Sequence, residues 1–391
     1  YHQNLGIDIQ HIKRVHRRGF KAGALKEASK LATGEFVAIF DADFLPSPSL
    51  LRTTIDHFTD EKVGMVQFRW EHLNRGSSRF TEAQSIMLDA HFALEQQVRC
   101  ASDMLLNFNG TAGMWRAKTI IEAGDWSADT LTEDLDLSYR AQMCGWKMVF
   151  LSDIECPGEI PADMNAFKSQ QHRWAKGGIQ VMKKLLLRVW KSPYSVGKKI
   201  ESSFHLMNNL AYFIVLFDTL FFLIPSLWVR EKYQVEQIFW LDVPLLILAT
   251  GGHLIYLFFG QVALGRSKWA ATKHLPWLML MGIQLAFNNA RAGLEALIGQ
   301  KSEFVRTPKT GEMHIEKSKQ SRVYQTFYSA VLPKSALIEL LVSLVYFAVL
   351  LWSIEHQKWA MLPFLLLLVL GFASAALANV WQHITVRKSS C

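Results

Sequence analysis

The chain has 391 residues, of which 50% are hydrophobic and 19% are charged, and its formal net charge is +8. This length is sufficient for two domains of ordinary size. The basic residues cluster beside long apolar runs, which is typical of the cytoplasmic flanks of membrane helices. We therefore expect a lipid bilayer, and no nucleic acid, as a partner. The 4 cysteines show no CxxC or Cys/His spacing, so we expect reduced thiols in a cytosolic domain.

Residues 1 to about 200 have the pattern of a soluble α/β domain. Strands are predicted at Ile7–Val15, Phe36–Phe40, Val63–Arg69 and Lys147–Leu151. Helices are predicted at Lys21–Leu31, Phe80–Arg99, Leu135–Cys144 and Asn165–Trp190. This alternation implies a Rossmann-like, mostly parallel sheet that is covered on both faces and binds ligands at the carboxyl ends of its strands. Only one strand precedes Phe36–Phe40, a continuous apolar run typical of a strand buried on both faces, so we expect an N-terminally truncated domain that lacks a first strand.

Two carboxylates follow this apolar run directly, in the sequence Asp41-Ala42-Asp43. Mg²⁺ and Mn²⁺ bind carboxylate oxygens and commonly bridge one or two carboxylates to substrate phosphates. A sugar that leaves from a nucleotide diphosphate needs this charge to be neutralised. A surface turn with two acidic residues is the alternative, but the position at the end of a buried strand favours a metal and donor site at Asp41 and Asp43.

Thr132-Glu133-Asp134 opens the helix predicted at Leu135–Cys144. Its residues can act as a cap and as favourable charges in the first turn. That role is compatible with chemistry, because a carboxylate held in a cleft can accept the proton of an attacking sugar hydroxyl. One such base is sufficient for a direct displacement that inverts the anomeric centre. We predict Asp134 as this base, with Glu133 beside it.

The segment Gln170–Trp174 (QQHRW) lies on the last predicted helix of the soluble half. Arg173 suits a diphosphate, because a fixed positive charge stabilises the leaving group. Trp174 offers an aromatic face to an acceptor sugar. An amphipathic surface helix whose Trp174 anchors at lipid headgroups fits the sequence equally well.

Three further features of the soluble half leave their roles open. Phe108–Gly113 (FNGTAG) is small and turn-prone, so its backbone can approach a ligand closely or form a plain tight turn. Lys21 can meet a donor phosphate or base, or can belong to a solvated helix start. His91 and His172 show no partner pattern, and we interpret them as structural or solvated.

The chain becomes strongly apolar from Phe204 onward. Its apolar runs are long enough to cross a hydrocarbon core of about 30 Å at about 1.5 Å per residue. The predicted spans are Phe204–Val229, Ile238–Leu264, Ala336–Ile354 and Trp359–Ile384. Between the second and third spans, 274–299 is apolar only in its first half. Basic clusters lie on both sides of it, and an in-plane amphipathic segment keeps both clusters cytoplasmic.

These patterns together predict how the chain is divided. We expect a catalytic domain over 1–163, interfacial helices over 164–203, two transmembrane helices over 204–264, a cytoplasmic interfacial helix with a loop over 265–335, two transmembrane helices over 336–384 and a cytoplasmic tail over 385–391.

The motifs, in their order along the chain, resemble those of family 2 glycosyltransferases of the cellulose-synthase-like type. They are FKAGAL (20–25), DAD (41–43), FNGTAG (108–113), TED (132–134), QQHRW (170–174) and EFVRTPK (303–309). The segments FNGTAGMWR and QQHRWAKGG are similar to those of plant mannan and glucan synthases and their bacterial relatives. The resemblance covers nearly the whole chain. It departs at the front, where the family's first strand and first donor-binding Asp motif have no counterpart.

The resemblance implies a GT-A catalytic fold, a metal held at Asp43 with Asp41 facing the donor, and Asp134 as catalytic base. The segment Phe304–Lys309 is similar to the gating loop of cellulose synthase, which closes over the donor. We assign donor or diphosphate binding to Lys21, Asp41, Asp43, Arg173, Thr307 and Lys309. We assign acceptor binding to Phe108, Asn109, Gly110, Glu133, Gln170 and Trp174.

The favoured hypothesis is a processive synthase that transfers a hexose from UDP-glucose or GDP-mannose to the non-reducing end of a β-1,4-linked glycan, with Mg²⁺ or Mn²⁺ as cofactor. A non-processive transferase that acts on a lipid or short acceptor is the alternative among enzymes. A polysaccharide exporter that binds nucleotide without chemistry and a carbohydrate-binding scaffold are alternatives from other classes. We expect an integral membrane protein with a cytosolic catalytic domain, in a bacterial inner membrane or a Golgi-type membrane, with accessory export subunits as candidate partners.

Overall fold

The computed structural model of the chain describes residues 9–234, 239–301 and 334–389. Its strands are β1 (Phe36–Ile39), β2 (Val63–His72), β3 (Gly113–Arg116) and β4 (Lys147–Gly158). The helices of the first half are α1 (Phe20–Ser29), α2 (Leu50–Ile55), α3 (Arg79–Ala90), α4 (Gln97–Ala101), α5 (Ala117–Glu122) and α6 (Glu133–Met143). Those of the second half are α7 (Met164–Lys191), α8 (Val196–Met207), α9 (Ala211–Phe217), α10 (Leu223–Tyr233), α11 (Phe239–Ala263), α12 (Lys268–Leu297), α13 (Lys334–Glu355) and α14 (Leu362–Ser389).

Most predicted elements of the soluble half are confirmed, with two differences in length. β2 and β4 extend further than their apolar patterns indicated, to His72 and Gly158. The helix predicted at Phe80–Arg99 is continuous, but α3 and α4 are joined by a π-helical turn at His91–Gln96.

The strand predicted at Ile7–Val15 is wrong for the part that the structure describes. Residues 9–15 form neither strand nor helix. The apolar side chains Ile9, Ile12 and Val15 are 42%, 41% and 91% exposed, so they do not gain the burial that would hold a strand against a sheet. These three residues also recur every third position, which does not match the two-residue period of a strand.

The sheet is mixed, which corrects the expectation of a mostly parallel sheet. Its strand order is β1-β3-β2-β4, in which β3 is antiparallel to both β1 and β2, and β2 is parallel to β4. β1 is an edge strand with Ala38 exposed, so the predicted burial on both faces is also wrong. The carboxyl ends of β1, β2 and β4 nevertheless share one edge with the start of β3. Four connections therefore meet at that edge.

Apolar side chains cover both faces of the sheet. In β3, Met114 packs on one face with Val66 and Phe68, and Trp115 packs on the other with Trp126. This alternation follows from the two-residue period of a strand. The sheet is thereby held rigidly between helices, and the loops at its edge have a fixed base.

The second half contains long apolar helices. Among the described residues, Val196–Tyr233 and Ala336–Glu355 are long and apolar enough to cross a membrane, and Leu362–Ala378 is apolar but shorter. They overlap the first, third and fourth predicted spans, and the second coincides with α11. The number of crossings and the in-plane position of 274–299 stay predictions.

Close packing and ion pairs join the helical half to the α/β half. α11 crosses α3 where Gly260 lies against the backbone of Ala90, a contact too close for a larger residue. Arg266, just after α11, pairs with Asp89 at 2.8 Å and with Glu71 at 2.9 Å. These contacts fix the helices relative to the sheet edge.

Candidate active site

A cleft of about 870 Å³ lies at the edge where β1, β2 and β4 end. The start of α6 and one face of α7 close it. The predicted site residues that line it are Lys21, Asp41, Asp43, Asn109, Gly110, Glu133, Asp134, Gln170, Arg173 and Trp174. The structure therefore brings together residues that lie up to 153 positions apart in the chain. Thr307 and Lys309 lie outside the described residues.

Lys21 and Asp41 form an ion pair at one wall of the cleft. The Lys21 Nζ donates to Asp41 Oδ1 at 2.6 Å and to the carbonyl oxygen of Gly110 at 2.9 Å. Burial alone would lower the pKa of Lys21, but the carboxylates of Asp41 and Glu133 raise it above its usual value. The backbone N–H of Asp41 donates to Thr111 Oγ1 at 2.7 Å. A permanent positive charge therefore faces the cleft, and it is tied to both Asp41 and the turn at Gly110.

The residues at the end of β1 suit a hard divalent cation. Asp41 and Asp43 both line the cleft, and Asp41 already accepts from Lys21. Among the described residues, no cluster of three or more His, Cys, Asp or Glu side chains is placed to hold a metal on its own. A pair of carboxylates fits the usual arrangement for Mg²⁺ with nucleotides, in which substrate phosphates and water complete the coordination.

Asp134 and Glu133 lie in the first turn of α6. Asp134 Oδ1 accepts from the backbone N–H of Leu135 at 2.9 Å. Burial raises the pKa of Asp134 to about 6. Burial, with repulsion from Asp134, raises the pKa of Glu133 to about 7. The helix N-terminus favours the charged forms, but desolvation outweighs it here. A carboxylate with a pKa near 6 is ionised at neutral pH and basic enough to accept a proton.

The FNGTAG segment forms a turn under Asp134. Gly110 has a positive φ of 83°, and a Cβ at that position would lie 2.8 Å from Asp134 Oδ2. Only glycine fits both constraints. The N–H of Phe108 donates to Ser138 Oγ at 2.8 Å, and that hydroxyl donates to the carbonyl oxygen of Asp134 at 2.6 Å. The turn and α6 are therefore a single connected unit.

Phe108 does not contact the cleft, which corrects its assignment to acceptor binding. Its side chain is 0% exposed, and its ring lies edge-on to Trp115 at 5.6 Å between centroids. The sequence alone does not indicate whether an aromatic residue beside such a turn faces a ligand or the core. The Phe108 side chain lies in the core, where burial of its apolar surface stabilises the fold.

α7 presents two functional faces. Gln170, Arg173 and Trp174 line the cleft, so the position of Trp174 favours a ligand contact over a headgroup anchor. On another face, His172 and Lys176 lie 3.3 Å and 2.9 Å from Glu295 of α12. The interpretation of His172 as structural is confirmed by this contact. Contacts with α12 therefore hold one face of α7, and another face lines the cleft.

Sequence analysis missed several residues of the cleft wall. Trp70 and His72 line it from the end of β2, and Phe44 lies edge-on to Trp70 at 5.2 Å. Gly158 lines it from the end of β4. These positions could have been found from the rule that ligands gather at the carboxyl ends of strands, had the strand ends been placed correctly.

Comparison with known proteins adds the family. Residues 2–177 match the family model described as glycosyltransferase like family 2. Glucomannan 4-beta-mannosyltransferase 1 of Oryza sativa subsp. japonica is 32% identical over 337 residues, which are 82% of this chain and 61% of that protein. Glucomannan 4-beta-mannosyltransferase 2 of Arabidopsis thaliana is 40% identical over 203 residues, which are 49% of this chain and 38% of that protein. The chain therefore spans less than two thirds of the length of these relatives.

Among solved structures, the mannosyltransferase PcManGT from Pyrobaculum calidifontis, in complex with GDP-Man and Mn²⁺, is 17% identical with a TM-score of 0.44. The alignment covers 77% of this chain and 72% of that one. A TM-score of this size is too low for a functional comparison.

The α/β domain, with acidic residues at its strand ends and a matching family model, is of the glycosyltransferase class. More narrowly, residues 2–177 form a family 2 glycosyltransferase domain, and the similarity to glucomannan 4-beta-mannosyltransferases supports the cellulose-synthase-like type. The mixed sheet agrees with the GT-A fold that this family implies.

Proposed function

We propose that the protein transfers a hexose from a nucleotide-sugar donor, with inversion, to the non-reducing end of a β-1,4-linked glycan. One observation carries this proposal: the half-buried carboxyl of Asp134 lines the same cleft as Asp41, Asp43 and Arg173. One bound nucleotide sugar could therefore meet a proton acceptor at its sugar, and carboxylates and a positive charge at its diphosphate.

In the proposed reaction, Asp134 accepts the proton of the acceptor hydroxyl as that oxygen attacks the anomeric carbon. The new glycosidic bond forms as the bond from the anomeric carbon to the diphosphate oxygen breaks, and the nucleoside diphosphate leaves with the electron pair. Arg173 and Lys21 supply positive charge beside the leaving group. Mg²⁺ or Mn²⁺, held at Asp43 with Asp41 beside it, would neutralise the diphosphate when bound.

A single base on one side of the sugar favours inversion over a double displacement, which needs a nucleophile as well. A donor with the α configuration would then give a β linkage. Gln170, Trp174 and Asn109, together with Gly110 and Glu133, form the part of the cleft wall that we assign to the acceptor.

The similarity to glucomannan 4-beta-mannosyltransferases supports a 4-β-linked product and a mannosyl donor. We therefore favour GDP-mannose, with UDP-glucose as the competing donor.

We propose a membrane location for the helical half, with the catalytic domain on the cytosolic side of a bacterial inner membrane or a Golgi-type membrane. The stretch Val196–Tyr233 carries many exposed apolar side chains, including Phe204 at 75% and Ile214 at 69%. Lipid would cover these side chains. The basic residues that precede this stretch suit the cytosolic face.

A donor panel tests the proposal. The full-length protein in membranes is incubated with GDP-mannose or UDP-glucose, Mg²⁺ or Mn²⁺ and a β-1,4-linked hexaose, and product length and linkage are measured. Extension by many residues supports processive synthesis, single additions support the non-processive alternative, and nucleotide binding without turnover would refute the enzymatic proposal in favour of an exporter.

A further inference from the structure

His91 lies beside the cleft at an irregular point of a long helix. The π-helical turn His91–Gln96 interrupts the run from α3 to α4. Such turns are rare, and they frequently occur at functional sites. From this turn, His91 and Gln96 contact the side chain of Asn109, which lines the cleft, and Glu95 contacts His91.

Gln96 defines the orientation of the Asn109 amide. Gln96 Nε2 donates to the backbone carbonyl of Asn107 at 2.9 Å, and a carbonyl oxygen can only accept. The same Nε2 atom donates to Asn109 Oδ1 at 2.8 Å. The nitrogen of the Asn109 amide, Nδ2, must therefore face the other way, where it lies 3.0 Å from His91 Nε2.

Glu95 independently defines the protonation of His91. Glu95 Oε2 lies 2.9 Å from His91 Nδ1, and its other oxygen accepts from Arg99 Nε at 3.0 Å. Burial opposes ionisation of Glu95, but the hydrogen bond from His91 and the positive charge of Arg99 hold its pKa below the usual value. An ionised carboxylate only accepts, so Nδ1 carries the proton. Nε2 of the neutral ring is then the acceptor that the Asn109 amide requires. The amide orientation set by Gln96 and the tautomer set by Glu95 are therefore consistent.

From this network we infer that His91 is a positioning residue for the acceptor: it fixes the Asn109 amide so that its second N–H can donate to an oxygen of the acceptor sugar. Asn109 has its carbonyl oxygen and one N–H engaged by protein groups, which leaves one donor at the cleft. Tyr256 of α11 donates to Glu95 at 3.3 Å, so the helical half also contributes a hydrogen bond to the network. The inference rests on the proposed function, because it assigns Asn109 to the acceptor.

A double-mutant cycle tests the inference in the full-length protein. The variants are His91→Ala, Asn109→Ala and the two combined, with His57→Ala as a matched control on an exposed histidine away from the cleft. The rate of extension of a β-1,4-linked hexaose is measured against hexaose concentration at saturating donor, and donor Kd is measured separately. The loss of one hydrogen bond should raise the acceptor KM about tenfold, with kcat changed less than about threefold and donor Kd unchanged.

The cycle and a rescue variant separate positioning from general destabilisation. The double variant should be no worse than Asn109→Ala alone, since both changes remove the same contact. His91→Gln should restore the acceptor KM, because its amide can donate to Glu95 and accept from Asn109. If His91→Ala does not fold, His91→Phe replaces it in the cycle, as it fills the space without an acceptor.

Three results would overturn the inference: an unchanged acceptor KM in an active, folded His91→Ala protein, additive effects in the cycle, or equal KM values for His91→Ala and His91→Gln. An inactive wild-type protein would instead refute the proposed function, so the two failures are distinguishable.

Discussion

Replacing Asp134 with Asn is the most informative perturbation of the cleft. The side chain keeps its size, and its oxygen can still accept from the N–H of Leu135. It loses the negative charge of the carboxylate and, with it, the ability to accept a proton. We expect kcat to fall about 10³-fold, within the range usual for general bases, which corresponds to about 4 kcal/mol of transition-state stabilisation.

The same variant should be more stable than the wild type at neutral pH. The pKa of Asp134 is raised to about 6 in the folded protein. A carboxyl with a raised pKa favours the folded state most below pH ~4, and this contribution is lost as the pH rises through about 6. The rise in pKa corresponds to roughly 3 kcal/mol at pH 7.5, so Asp134→Asn should recover stability of that order.

Sugar transfer, donor Kd and the thermal midpoint at pH 5 and pH 7.5 are the measurements. Asp129→Asn, on the loop that precedes α6 but exposed and outside the cleft, is the control, and it should retain activity. Wild-type turnover in Asp134→Asn, or an equal loss in Asp129→Asn, would refute the assignment of the base. A tenfold or larger loss of donor affinity in Asp134→Asn would show that its role is in binding instead.

Five further outcomes follow from the structure of the cleft and its surroundings. The kcat of the wild type should fall as the pH drops through about 6, because Asp134 becomes protonated, and a flat pH–rate profile between pH 5 and 7 would contradict this. Lys21→Met should raise donor Kd at least about tenfold in a binding assay, because it removes the cation paired with Asp41. Gly110→Ala should destabilise the fold by about 1–2 kcal/mol and reduce kcat, measured by denaturant unfolding and turnover, because its methyl group meets the Asp134 carboxylate at a positive φ. Phe108→Leu should lower the thermal midpoint and leave the acceptor KM unchanged, since Phe108 is buried. Chelation should abolish transfer, with recovery on addition of Mg²⁺ or Mn²⁺.

The sequence predicted which residues would share one cleft better than it predicted the contacts between them. The run before Asp41 was recognisable as a strand, and residues at strand ends meet at one edge. The acidic start of α6 was recognisable from its first-turn charges. Asp41, Asp134 and Arg173 could therefore be expected in one cleft, although they lie far apart in the chain.

Periodicity does not reveal which face of a segment becomes buried, and this accounts for the errors. The segment predicted as a strand at Ile7–Val15 alternates only loosely, and its described part, residues 9–15, forms no strand. Phe108 and Asn109 are neighbours in one turn, yet the first enters the core and the second lines the cleft. The contact between His91 and Asn109 joins residues 18 positions apart through a π-helical turn, which sequence patterns do not predict.

The anomeric configuration of the first bond formed tests the central claim most directly. The full-length protein is given an α-configured nucleotide sugar and a short β-1,4-linked oligosaccharide, and the new linkage is determined by NMR. The proposed mechanism predicts a β linkage in the wild-type product and product formation about 10³-fold slower in Asp134→Asn. An α linkage would contradict displacement by a single base, as would undiminished β-linked product from that variant.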